Sequence, residues 1–91
     1  MPLTRSSRRL RVLVYLLRSR RVPEKVYVGV TTDLSTRLDQ HNAGLGAAYT
    51  AKFAPWRVVV AIHFENRLKA EAFEKYLKSG SGHSFARRHF W

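Results

Sequence analysis

The 91-residue sequence predicts an α/β (α+β) fold: a small sandwich with a central antiparallel sheet of about three strands, flanked by helices in the order β-β-α-β-α-α. Three observations carry this. Residues 11–18 and 25–31 are rich in aliphatic and β-branched side chains and are separated by only a short basic loop. A connection that short leaves no room for a crossover helix, so the two runs pair as an antiparallel hairpin. Both runs are apolar at alternate and intervening positions alike, which indicates that both sheet faces are covered.

The elements follow in order. Residues 18–24 form the hairpin tip and contain Pro23. Asp33 is a good N-cap for a helix over residues 34–42, with Leu34 and Leu38 as its buried stripe and Asn42 as an end cap. Gly44 and Gly46 end that helix, and residues 47–55 read as a loop. Residues 56–64 form the third strand. Asn66 caps a helix reaching Lys78, with Leu68, Ala72, Phe73, Tyr76 and Leu77 on its apolar side. Ser79-Gly80-Ser81-Gly82 stops it, and residues 84–90 form a last short helix. There is no repeat and no linker, so residues 1–91 are expected to form one domain, with residues 1–10 as a basic N-terminal extension rather than a removable targeting peptide.

Charge narrows the partners. Seventeen Lys and Arg face six Asp and Glu, a net +11, and twelve of the seventeen are arginines, whose forked donors suit phosphate oxygens. Such a field concentrates polyanions, so nucleic acid is the expected partner. A membrane is not: the longest apolar runs, residues 12–17 and 58–62, fall far short of the roughly 20 residues needed to span one. No cysteine is present, which excludes disulfides and thiolate zinc sites. Cytoplasm is the default compartment.

Five side chains suggest chemistry. Tyr15 and Tyr27 lie six residues either side of Arg21 and are expected as cross-strand neighbours on one face. Arg37 and His41 are one helical turn apart and share a face. Glu74 lies on a later helix, with Glu71 and Glu65 as rivals. Each has a bland reading as core aromatic, surface cation or exposed glutamate. Together they supply a phenol base, a forked cation for phosphate oxygens, an imidazole to relay or donate a proton, and a carboxylate for a hard metal ion. No P-loop, Ser–His–Asp order or dinucleotide fingerprint competes.

In order and spacing these residues resemble the GIY-YIG nuclease superfamily, and in particular its small stand-alone bacterial branch, akin to the nuclease domain of the excision-repair incision enzyme. The first motif stands as Leu13-Val14-Tyr15, without the glycine, and the second as Tyr27-Val28-Gly29. Thr31-Thr32-Asp33-Leu34 with Arg37, His41 and Asn42 resembles the branch's first helix, and residues 73–78 resemble its metal-binding helix. The resemblance implies a DNA endonuclease with Tyr15, Tyr27, Arg37, His41 and Glu74 as catalytic residues, Glu74 holding Mg²⁺ or Mn²⁺. Tyr15 would activate the attacking water, helped by positive charge from the metal or Arg37, since a phenol's ordinary pKa is near 10. Tyr49, Thr50 and Lys52 resemble residues lining the DNA path. Lys78, Arg87 and Arg88 are expected to contact phosphates, or else to be solvated cations. Duplex or branched DNA is the expected partner, with room for a protein that targets the enzyme. The rival readings are a non-catalytic nucleic-acid-binding protein on the same fold and a basic accessory protein. Substrate structure and oligomeric state stay open.

Overall fold

The computed structural model describes residues 11–91. The basic extension expected over residues 1–10 lies outside the described residues. The chain runs β1 (Val12–Ser19), β2 (Val26–Thr31), α1 (Leu34–Asn42), α2 (Ala48–Lys52), β3 (Trp56–Phe64), α3 (Arg67–Leu77) and α4 (Gly80–His89). The order is the expected one with a single short helix, α2, added inside the stretch read as a loop. The strands form one antiparallel sheet ordered β2-β1-β3, so the first strand is central and β2 lies at an edge.

Strict alternation along β1 splits the interior in two. Val12, Val14 and Leu16 face α3 and α4 and pack with Ala70, Leu77 and Ala86. Tyr15 and Leu17 face the opposite way and pack with Trp56, Tyr27, Leu34, Leu38 and Phe53. Both faces of the sheet are therefore covered, as the near-continuous apolar runs require. A register shift between Leu16 and Leu17 against β3 keeps the alternation intact: Leu16 pairs with Val60 and Leu17 with Val58, leaving Val59 as the extra residue of a bulge.

Caps fix the helices. The Asp33 carboxylate accepts from the Thr36 backbone N–H and from its hydroxyl, which holds the carboxyl below its usual range. Asn66 accepts from Leu68 and Lys69. The α3 helix ends at Leu77 with Lys78 as its cap, as expected ahead of Ser79, but α4 does not wait for Ser84: it starts at Gly80, where Ser79 Oγ accepts from Gly82 N–H, and Gly82 lies so close to the Tyr76 carbonyl that a Cβ would collide with it. The glycines serve close packing of α4 on α3. Nor does α3 bury the predicted stripe. Ala70, Phe73 and Leu77 face the core, while Leu68 is 74 % exposed and Ala72 and Tyr76 face outward.

Asn42 is a clamp, not a helix cap. Its Oδ1 accepts from Trp56 N–H at 2.6 Å and its Nδ2 donates to the Trp56 carbonyl at 3.3 Å, tying the end of α1 to the start of β3. The Trp56 indole N–H donates to the Thr50 carbonyl at 2.8 Å, which fixes α2 to the same strand.

Candidate active site

Tyr15 and Tyr27 are neighbours, but not opposite each other. Tyr15 pairs with Gly29 and Leu17 with Tyr27, so the tyrosines are diagonal on one face, with ring centroids 6.2 Å apart. The pairing explains the glycine. The Tyr15 ring lies across Gly29, and a Cβ there would run into the phenol hydroxyl and ring carbons. Only a residue without a side chain leaves the phenol room.

Behind Tyr15 sits His41. Helix α1 turns it inward, 1 % exposed, rather than leaving it on the helix surface. The Tyr15 hydroxyl is 2.9 Å from His41 Nε2, and His41 Nδ1 is 2.8 Å from Thr50 Oγ1. Proton counting assigns the tautomer. Thr50 Oγ1 accepts from the Ala47 N–H at 3.1 Å and donates to the Ala47 carbonyl at 2.9 Å. With that hydroxyl's single proton on the Ala47 carbonyl, Nδ1 is the donor toward Thr50 and Nε2 accepts from Tyr15. Burial and then the Arg37 charge push the His41 pKa below its ordinary value, so the ring is neutral at pH 7. Thr50, completely buried, is the residue that the sequence placed along a DNA path and the structure places behind the histidine.

In front of Tyr15 opens a cleft of about 720 Å³ that straddles the edge of β2. Tyr15, Tyr27 and Gly29 form its floor, Arg37 one wall, and Leu68, Glu71, Glu74, Lys75 and Lys78 of the α3 region the other. Four of the five predicted catalytic residues line it, and the fifth, His41, backs it. Arg37 by itself does not activate the Tyr15 phenol. Burial and then the Tyr27 neighbour push its pKa up to about 12, Glu74 adds to the rise, and Arg37 opposes it without prevailing.

Glu74 faces the cleft with its side chain 26 % exposed and its Oε2 2.8 Å from Lys78 Nζ. Its rival Glu71 pairs with Arg67 at 3.2 Å. No group of three or more His, Cys, Asp or Glu lies together among the described residues. A lone carboxylate beside open space suits a hard cation that keeps waters and takes phosphate oxygens; it does not suit a metal that needs an all-protein cage. The residues present fit Mg²⁺ or Mn²⁺ held chiefly through Glu74.

The predicted nucleic-acid contacts separate into three places. Tyr49 stacks beside Tyr27 at 6.3 Å and donates its hydroxyl to the Val26 carbonyl at 3.0 Å. Lys25 and Lys52 lie over the Phe53 ring next to it, at 5.2 and 5.5 Å, which extends the floor of the cleft as an aromatic and basic strip. Lys78 is in the cleft wall. Arg87 and Arg88 are exposed on α4, with Arg87 in a separate hollow and outside the cleft. No described helix is long and apolar enough to cross a membrane.

Comparisons with known proteins give the family. A structure-specific endonuclease subunit SLX1 from Candida dubliniensis is 40 % identical over 82 residues, covering 84 % of this chain but 27 % of that protein. A UPF0213 protein from Clostridium perfringens is 38 % identical over 65 residues, covering 71 % of this chain and 68 % of the relative. The SLX1 protein of Scheffersomyces stipitis is 42 % identical over 67 residues, 67 % of this chain and 20 % of that one. The chain thus matches about a quarter of the SLX1 relatives' length. No solved structure matches. The sequence model of the GIY-YIG catalytic domain matches residues 11–86, and the chain belongs to the GIY-YIG family.

Proposed function

We propose that the protein is a metal-dependent endonuclease that hydrolyses phosphodiester bonds in DNA. The observation that carries the reading is the Tyr15–His41–Thr50 chain of hydrogen bonds, which opens onto a cleft shared by Arg37 and Glu74.

Burial raises the Tyr15 pKa to about 12, so the phenol carries its proton at pH 7. It therefore works as a relay and not as a standing base. As water attacks phosphorus, its proton passes to the Tyr15 oxygen while the Tyr15 proton passes to His41 Nε2. The new P–O bond forms, the bond to the leaving oxygen breaks, and that oxygen takes a proton from solvent at the open mouth. Thr50 holds His41 in the tautomer that receives. Tyr27 orients the phosphate, and Arg37 stabilises the negative charge that builds on its oxygens in the transition state. Mg²⁺ or Mn²⁺ bound at Glu74 would add Lewis-acid charge at the phosphate.

A second reading exchanges the tyrosines. Tyr27 is half-buried and faces the cleft, whereas Tyr15 is wholly buried, which favours Tyr27 as the phenol in contact with the water. Tyr15→Phe and Tyr27→Phe separate the two: the residue that takes the proton loses roughly 10²–10⁴ in rate. The substrate reading extends to branched DNA met with a protein partner, supported by the printed names of the SLX1 relatives as structure-specific subunits.

The decisive experiment is divalent-metal-dependent nicking of plasmid and branched DNA by the wild type and by Glu74→Ala. Cleavage by the wild type alone, with metal-free DNA binding retained in the variant, is expected. Equal activity in the two moves the metal to Glu71. Binding without cleavage in both supports the non-catalytic reading.

A further inference from the structure

The edge strand β2 carries more than the cleft. Beyond Tyr27 and Lys78, which border it, a hollow of about 200 Å³ continues along β2 past Val26, Val28, His83 and Trp91. A second hollow of about 340 Å³ follows at the hairpin end, lined by Arg18, Glu24, Val26, His83, Arg87 and Trp91. Val26, His83 and Trp91 are common to both, and Tyr27 and Lys78 are common to the first hollow and the cleft. Their shared lining residues place the three spaces in succession along β2.

Their chemistry is that of a nucleic-acid channel. Arg18, Lys78 and Arg87 line the extension, with His83, against the carboxylate of Glu24 and that of Glu74, which is paired to Lys78. Trp91 lies at the far end, partly exposed. Its backbone N–H is anchored to the Ala86 carbonyl at 2.9 Å, and the Arg18 guanidinium lies 5.3 Å from the centre of its ring. The indole packs on the core cluster with the Arg18 guanidinium over its ring, so it is a stacking platform for a base that displaces Arg18, and Arg87 lines the same hollow. A base reaches such a platform only when it is unpaired, because in a duplex its faces are already stacked. From Gly29 in the cleft to Val26 is three strand residues, about 10 Å.

Resting on the nuclease reading above, we propose that these spaces act as one groove that binds the single-stranded continuation of the DNA held in the cleft, with a base on Trp91 and phosphates on Arg18, Lys78 and Arg87. The groove would then tell a substrate with an unpaired arm from a plain duplex. The charge selects a polyanion over a peptide strand for this sheet edge.

The test uses the Glu74→Gln protein in the absence of metal, so that binding is read without cleavage. Affinity is compared for a blunt duplex and for the same duplex carrying a single-stranded thymidine arm. The arm is expected to tighten binding about tenfold and to quench the fluorescence of Trp91, since Trp56 is buried. Trp91→Ala is expected to erase most of that preference, and Trp91→Phe to keep part of it. Arg87→Gln alters only an exposed side chain and so controls for folding; it is expected to cut the preference several-fold and to flatten the salt dependence for the armed substrate by about 0.7 in log–log slope. No preference for the arm, or equal weakening of both substrates by Trp91→Ala and Arg87→Gln, overturns the proposal. Failure of wild-type nicking would instead strike the nuclease reading, since the binding comparison needs no cleavage.

Discussion

Thr50→Val isolates the part of the site furthest from the substrate. Valine matches threonine in shape, so the perturbation is the hydroxyl alone. Three groups lose a partner: the Ala47 N–H, which is near solvent, the Ala47 carbonyl, which still accepts from the Ala51 N–H, and His41 Nδ1, which is buried. One buried donor without an acceptor costs roughly 1–3 kcal/mol. For a chain of this size that is a fall in Tm of about 4–24 °C. The kinetic effect has a different origin. The Nδ1–H···Oγ1 bond contributes about 0.5–1.5 kcal/mol net, and without it the ring is free to carry its proton on Nε2. In that tautomer His41 donates to Tyr15 and cannot receive its proton. The receptive population, and with it kcat, should fall about two- to tenfold while KM holds, because nothing in the cleft has changed. Thr50→Ser should restore both. Nitrogen-15 shifts of the His41 ring report the tautomer directly. An unaltered ring spectrum together with an unaltered kcat would refute the assignment of protons along this chain.

Gly29→Ala forces a methyl group against the Tyr15 phenol, which His41 holds in place; overpacking should cost about 1–3 kcal/mol, and thermal melting with a nicking assay should show stability and cleavage falling together. His41 is depressed below its ordinary 6.5, so the unfolded chain binds its proton first. Its contribution to stability is complete above about pH 6.5 and is lost as pH falls through the lower folded value, and His41→Gln should remove that acid limb from a plot of Tm against pH. DNA affinity should fall with salt at a log–log slope of about −4 to −8 if roughly five to nine cations meet phosphates, and a slope near zero in a binding titration would contradict the charge argument.

The sheet and most of the site were legible in the sequence because they rest on short-range rules. Period-two strands placed Tyr15 and Tyr27 on one face, and helical spacing placed Arg37 above His41. What the sequence hid depends on long-range contacts. The hairpin pairs symmetrically about Val22, not Arg21, because Leu13 meets Thr31, and that one-residue shift of the centre moves each partner by two. The burial of His41 and the role of Thr50 depend on the five-residue helix α2, too short to show a periodicity; the nearest clue was Gly46, where a side chain would strike the His41 ring. Leu68 and Ala72 read as core by spacing, yet the sheet edge ends before it reaches them and they border the cleft instead. Glu74 was chosen over Glu71 through family resemblance, since both have an i,i+4 partner and spacing alone treats them alike.

The chemistry hangs on the margin of the sheet. The phenols are seated in one apolar cluster with the imidazole behind Tyr15, the carboxylate and its lysine rise from the helix region on the opposite face of the sheet, and the cleft between them lies at the β2 edge. That strand is hydrogen-bonded along one side only. Edge strands open at lower free energy than the interior of a sheet. A fluctuation that lifts β2 while both clusters persist would carry Tyr27 and Gly29 away from Tyr15 and part the acid from the phenols. Heat should therefore silence this molecule reversibly some degrees before it unfolds, with hydrogen exchange along β2 setting the temperature at which it does so.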